Sequence, residues 1–143
     1  MASPPLTNRE YAYFQVSGHG SHMSFTNEIG IDPTTCWSEG DINPRTQRPY
    51  KFMAWHLESG LDDTHSIEEH IARLFEKLIP LETKLNKLSN NYELCIQCVG
   101  YFPSVGHGIH IDKQMISVAH KLALTFDYDF YYIDDNGHDL DYR

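Results

Sequence analysis

The sequence predicts an α+β domain in which a ferredoxin-like βαββαβ antiparallel sheet is followed by an extra C-terminal αβ unit. Three observations predict this class. Some segments alternate apolar and polar residues at the period of a strand, others repeat apolar residues at the period of a helix, and no linker or repeat divides the 143 residues. We therefore expect one domain over residues 1–143. Its ordered core is predicted over residues 10–134, with ends that fray.

The first strand and helix are predicted near the N-terminus. Residues 11–17 carry apolar side chains at the even positions and are followed by Gly18, which is typical of a strand with one buried face. Ser24 can cap a short helix through Ile29, because a serine hydroxyl accepts from the free N–H groups of a first turn. Gly30 follows where helices often end in a left-handed residue.

Two further strands, over residues 34–37 and 51–57, are predicted to pair. The stretch between them is rich in glycine, proline, asparagine and aspartate, which favours a hairpin with a long loop. On the second of these strands Met53, Trp55 and Leu57 share one face. That face is predicted to point into the core.

The most regular helical repeat begins at a capping box formed by Ser66 and Glu69. Apolar residues then recur at helical spacing, and they continue to residue 88 after an expected interruption at Pro80. Such a stripe is the ordinary signature of a helix packed on a core.

A central strand and a last αβ unit complete the prediction. Residues 92–102 are apolar on both alternating sets, as expected of a strand covered on both faces. Asp112 is predicted to cap a helix whose apolar stripe extends to Phe126. Residues 128–133 are predicted to form the last strand, before an acidic tail.

Charge and cysteine content limit the classes of function. The formal net charge of −9 disfavours a nucleic-acid ligand and suits a basic protein partner. No apolar run is long enough to span a membrane and no secretory signal is evident, so we expect a cytoplasmic protein. Of three cysteines, Cys95 and Cys98 fall three apart on a strand, too far for a disulfide, which indicates free thiols.

Several short segments resemble a bacterial family catalogued as domain of unknown function 4279. The resemblance covers nearly the whole chain and is carried by Tyr13-Phe14, Ser17-Gly18, Ile29-Gly30-Ile31, Pro33-Thr34, Trp37, Gly40-Asp41, Trp55-His56-Leu57-Glu58-Ser59-Gly60-Leu61, Ile67-Glu68-Glu69-His70 and Gly108-Ile109-His110-Ile111-Asp112. It implies a stand-alone bacterial cytoplasmic domain. It implies no established activity and no catalytic residue.

Two histidine loops share the pattern Gly-His-Gly-x-His. They contain His19 with His22 and His107 with His110, and paired imidazoles are ligands for zinc, copper or nickel. In an antiparallel sheet, however, the two loops follow strands that run in opposite directions. We therefore expect no joint metal site and no cofactor.

Other candidate residues indicate binding rather than catalysis. No phosphate-binding glycine loop or activated cysteine is present in the sequence. Aromatic side chains and an acidic tail form the candidate binding set, namely Tyr13, Trp37, Trp55, Tyr101, Asp134, Asp135 and Asp139.

Two functions from different classes follow from these features. The first is a non-enzymatic protein-binding domain, such as an immunity protein that neutralises a toxin. The alternative is a small-molecule- or metal-binding domain, with or without enzymatic activity, that uses the histidine loops. The absence of a catalytic motif favours the first.

Overall fold

The structure, a computed structural model, describes residues 8–103 and 108–133. Its five strands form one sheet and its helices pack on that sheet, which confirms the α+β class. In chain order the elements are β1 (Arg9–Gly18), α1 (His22–Ile29), β2 (Thr35–Trp37), β3 (Met53–Glu58), α2 (Ile67–Leu78), α3 (Glu82–Leu88), β4 (Glu93–Phe102), α4 (Lys113–Lys121) and β5 (Thr125–Tyr132). A 3₁₀ turn at Ile79–Leu81 holds Pro80 and interrupts the helical stripe between α2 and α3, as predicted.

The strands lie in the order β2-β3-β1-β4-β5. The predicted β2–β3 hairpin is present, and β1 pairs antiparallel with both β3 and β4. The strand of the extra αβ unit, whose orientation the sequence did not predict, is β5, and it pairs with β4 in parallel. The cause is α4, which carries the chain back across the sheet so that β5 enters in the direction of β4. The five-strand order therefore differs from that of a four-stranded ferredoxin-like sheet.

The first helix starts earlier than predicted. Its N-cap is Ser21, in extended conformation, and the Ser21 hydroxyl accepts from the N–H of Met23. Ser24 lies inside the helix, so its prediction as the cap is wrong. The chain turns at Gly20, whose φ of +86° is adopted readily only by glycine. This turn places the next residue, Ser21, at the start of the first helical turn. Gly30 adopts the predicted left-handed conformation.

The last helix is shorter, and the last strand longer, than predicted. Helix α4 ends at Lys121 and β5 begins at Thr125, so Phe126 belongs to the strand. Ala123 has a φ of +59°, which a helix cannot accommodate. Apolar residues continue at helical spacing past Ala123, so the sequence pattern did not reveal where the helix ends.

The core lies between the helices and one face of the sheet. Along β1 the residues at even positions from Glu10 to Val16 are buried, whereas the odd positions are half-buried or exposed. Met53 and Trp55 of β3 are fully buried on the helix side, as predicted. The N–H of Glu69 donates to Ser66 Oγ at 3.2 Å, which confirms the predicted start of α2. No helix among the described residues is long and apolar enough to cross a membrane.

Candidate functional site: the open face of the sheet

One face of the sheet is not covered by any helix that the structure describes. Tyr11, Tyr13 and Gln15 of β1 point to this side and are half-buried, while their even-numbered neighbours belong to the core. Strand pairing places Glu58 of β3 and Gln97 of β4 beside Tyr13 on the same side. We call this side the open face. A sheet face without a helix over it usually carries polar side chains, whereas this face carries several aromatic ones.

Aromatic rings form a row that begins at one edge of the open face. Trp37 of β2 meets His56 of β3 edge to face, with 5.6 Å between ring centroids. His56 lies 4.8 Å from Tyr13 of β1, which in turn stacks with Tyr11 at 6.3 Å. His56 thus joins the predicted site residues Trp37 and Tyr13. The sequence offered one signal for it, since His56 alternates with the core residues of β3.

The row continues on the two strands beyond β1. Tyr101 of β4 stacks on Tyr131 of β5, with 5.0 Å between centroids. The guanidinium of Arg9 lies over the Tyr101 ring, 4.6 Å from its centroid. Burial, followed by the neighbouring phenols of Tyr101 and Tyr13, raises the pKa of Tyr11 to about 12. Tyr11 is therefore uncharged at neutral pH, and the Tyr101 ring already holds a cation by a cation–π contact.

A pocket opens where β3 ends beside β1. Strand β3 stops at Glu58, opposite Tyr13, so residues 10–12 of β1 have no described strand on that side. The loop 59–66 returns to β1 at Asp63, whose carbonyl accepts from the N–H of Glu10 at 2.9 Å. A cavity of about 440 Å³ lies between the loop and β1. We call it the loop pocket.

Buried polar groups concentrate at the floor of the loop pocket. Ser59 and His70 are 2% and 0% exposed, and Ser59 Oγ lies 2.6 Å from His70 Nδ1. Glu10, 9% exposed, accepts from the N–H of Ile67 at the start of α2. Of the four buried polar or charged residues in the described part of the chain, Ser59 and His70 are the two that line the loop pocket. Burying polar groups is costly unless they are hydrogen-bonded, and the buried Ser59–His70 pair therefore makes the loop pocket a candidate site.

His70 is neutral at physiological pH. Burial lowers its pKa, and the nearby carbonyls of Asp62 and Glu10 oppose this shift. Ser59 Oγ also accepts from the N–H of Leu61 at 3.1 Å, and we assign its own hydroxyl proton to His70 Nδ1. His70 Nε2 is buried and has no hydrogen bond of good geometry. The floor of the loop pocket is therefore polar and carries no positive charge.

Ser59 and His70, which meet at this floor, lie in two of the segments that carry the family resemblance. The model of the family described as Domain of unknown function (DUF4279) matches residues 8–133. The chain belongs to the DUF4279 family. Neither the curated proteins nor the solved structures provide a match to the chain. Membership therefore brings no activity to this DUF4279 domain.

A wider groove lies at the opposite end of the open face of the DUF4279 domain. It encloses about 780 Å³ and is bordered by Trp37, Tyr50 and Tyr92. Trp37 stacks on Tyr50, with 4.4 Å between centroids. A Cβ at Gly18 would lie 2.7 Å from Cδ1 of Tyr92, so only glycine lets that ring lie against the end of β1. We call this cavity the end groove.

The DUF4279 domain separates the predicted binding residues. Tyr13, Trp37 and Tyr101 lie on the open face, whereas Trp55 is fully buried on the helix side, where its Nε1–H donates to Thr26 Oγ1 at 3.0 Å. Trp55 therefore does not line a groove with the other three. The acidic tail residues Asp134, Asp135 and Asp139 lie outside the described residues.

The predicted histidine loops do not form a metal centre in the described part of the domain. His19 Nδ1 lies 3.4 Å from a Glu39 carboxylate oxygen, and the backbone N–H of His22 donates to Ser38 Oγ. No group of three or more metal-binding side chains occurs among residues 8–103 and 108–133. His110 is exposed, and His107 falls outside those ranges.

Two of the three cysteines of the domain, Cys95 and Cys98, are poor nucleophiles. All three are free. Cys95 lies on the open face and Cys98 on the helix side. Burial raises the pKa of Cys95 to about 11 and that of Cys98 to about 12. At neutral pH both are thiols, and a thiol lacks the reactivity of a thiolate.

Proposed function

We propose that this protein is a non-enzymatic binding domain that docks a basic protein on its open face. An immunity protein that neutralises a toxin is the specific form of this proposal. The observation that carries it is the row of rings from Trp37 through His56 and Tyr13, which is half-exposed and linked by close ring contacts. Tyrosine and tryptophan are enriched where proteins bind one another.

Charge complementarity supports a basic partner. Glu58 on β3 and Asp127 and Asp129 on β5 share the open face with the rings. Arg9 is the only lysine or arginine in the five described strands. The net charge of −9 extends the same preference to the whole chain, and complementary charge accelerates the encounter of two proteins.

Salt dependence of association tests the proposal. The partner to use is the product of a gene next to the one that encodes this chain, and the measurement is surface plasmon resonance. Raising salt from about 0.05 to 0.5 M shortens the screening length from roughly 14 to 4 Å, so the on-rate should fall at least about tenfold. Absence of binding, or an on-rate that salt does not change, would overturn the immunity proposal.

A matched pair of charge variants locates the docking surface. Asp127→Asn removes one carboxylate from the open face, and Glu76→Gln removes one from the exposed side of α2. We expect Asp127→Asn to slow association about two- to fivefold and Glu76→Gln to change it by less than about 1.5-fold. Equal effects would place docking elsewhere. Neutralising Asp134, Asp135 and Asp139 together should also slow association if the tail contributes to steering.

The proposal also includes a ferredoxin-like fold and a cytoplasmic location. The order β2-β3-β1-β4 with antiparallel neighbours supports a ferredoxin-like unit to which α4 and β5 were added. The three free cysteines and the family resemblance support a bacterial cytoplasmic protein. The acidic charge argues against nucleic acid as a ligand.

The end groove favours a second candidate, a domain that binds a small planar molecule. The stacked pair Trp37 and Tyr50 borders a cavity within the usual size of small-ligand sites. Native mass spectrometry of protein purified from its own host should then detect a bound molecule that Trp37→Ala loses. Mass spectra without any such adduct would eliminate this candidate.

A further inference from the structure

We propose that the loop pocket receives one arginine side chain of the basic partner, with the guanidinium against Tyr13 and Tyr11 and beside the carboxylates of Glu58 and Asp63. This inference rests on the proposed function and assigns a specific contact to it. It follows from the size, the aromatic wall and the charge of the pocket.

The size of the loop pocket admits one long side chain. Its volume of about 440 Å³ is far below that of the end groove, about 780 Å³. It is also near the lower limit of small-molecule sites, roughly 300–1,000 Å³. Buried Ser59 and His70 close its floor. A partner side chain would enter from the open face, where Tyr13 is half-exposed.

The aromatic wall fits a planar cation. Tyr11 and Tyr13 stack along β1, and both rings line the pocket. Guanidinium groups stack on such rings, and the same sheet already places Arg9 over Tyr101 in this manner. The Arg9 contact demonstrates within the chain the type of interaction that the pocket would make with a partner.

The pocket carries negative charge that is available to a ligand. Glu58 and Asp63 line it, and neither forms an ion pair with another described residue. Lys77 Nζ donates to the backbone carbonyl of Glu58 rather than to its carboxylate. Carboxylates bind guanidinium groups with two parallel hydrogen bonds, which lysine cannot match.

A titration with three small probes tests the inference without the partner. N-acetyl-arginine amide, the corresponding lysine amide and the uncharged citrulline amide are added in turn to the ¹⁵N-labelled protein. The arginine probe should shift the backbone amide signals of residues 11–13 and 58–63, with a Kd on the order of 1 mM for a ligand of this size. Lysine should bind more weakly and citrulline should not bind. Equal shifts with citrulline, or shifts only elsewhere, would overturn the inference.

Matched variants then separate charge from ring stacking. Glu58→Gln should weaken the arginine probe at least about threefold, whereas Glu93→Gln, which removes the same charge at the other end of the open face, should change it less than about 1.5-fold. Tyr13→Phe keeps the ring and should bind like wild type, while Tyr13→Leu should bind at least about threefold more weakly. Each variant's spectrum also reports whether the domain remains folded.

The result is distinguishable from failure of the proposed function. If the partner binds with strong salt dependence while the arginine probe does not bind, the open-face proposal stands and the arginine contact is wrong. If neither binds, both are wrong. If the probe binds and no neighbouring gene product does, the pocket is a guanidinium site and the toxin partner is wrong.

Discussion

The two faces of this sheet are built from alternate residues of the same strands, yet they differ in how far their aromatic side chains are buried. On the helix side Phe14, Trp55 and Ile96 are fully buried and belong to one core cluster. On the open face their immediate neighbours Tyr13 and His56 remain partly exposed. Burial explains the first set completely. The partial exposure of the second set is why we propose that a partner docks there.

Replacing one tryptophan on each face gives the largest expected effect. Trp55→Ala removes a fully buried side chain that contacts Phe14 and Phe25 edge to face, and it should cost about 3–5 kcal/mol of unfolding free energy. Trp37→Ala removes a half-buried ring that stacks on Tyr50, and it should cost about 1–2 kcal/mol. Denaturant unfolding measures both. Equal costs would remove the distinction between the faces.

The sequence predicted the helix side better than the open face, for a physical reason. Apolar periodicity identifies residues such as Trp55 and the stripe after Ser66, because burial selects both their type and their spacing. The loop pocket depends on Ser59 and His70, eleven positions apart in the chain and 2.6 Å apart in space. No periodicity joins them. Their only signal was that each fell in a segment of the family resemblance.

Histidines on the two sides should differ in their effect on acid stability. Burial lowers the pKa of His70, so the unfolded chain, with a pKa near 6.5, binds the proton more readily than the folded one. Stability should therefore be complete above pH 6.5 and fall as the pH drops towards the folded pKa. One such group contributes at most about 1.4 kcal/mol per pH unit.

Two substitutions check this assignment by thermal unfolding between pH 7.5 and 5. His70→Phe should be less stable at pH 7.5, by about 1–3 kcal/mol, because Ser59 loses its buried partner. The pH slope of this variant should nevertheless be smaller than that of wild type. His56 also has its pKa lowered by burial, but it is half-exposed, so His56→Gln should reduce the slope less. An unchanged slope in His70→Phe would contradict the assignment.

The smallest expected effect is that of added metal on stability. It depends on which end of the sheet each pair of histidines occupies. His19 and His22 follow the end of β1, and His110 follows the end of β4. The antiparallel register pairs Arg9 with Tyr101 and Ser17 with Glu93. At roughly 3.4 Å per residue, the two strand ends are therefore about 27 Å apart.

Histidines on separate ends cannot share one ion, so the purified protein should contain no stoichiometric transition metal by elemental analysis. Adding zinc or a chelator should leave the melting temperature of wild type and of the His22→Ala/His110→Ala variant unchanged to within about 1 °C, because a ligand that binds the folded state raises it. One equivalent of metal that this double variant loses would mean that the loops meet. That result would require β1 and β4 to pair differently and would restore the metal-binding alternative.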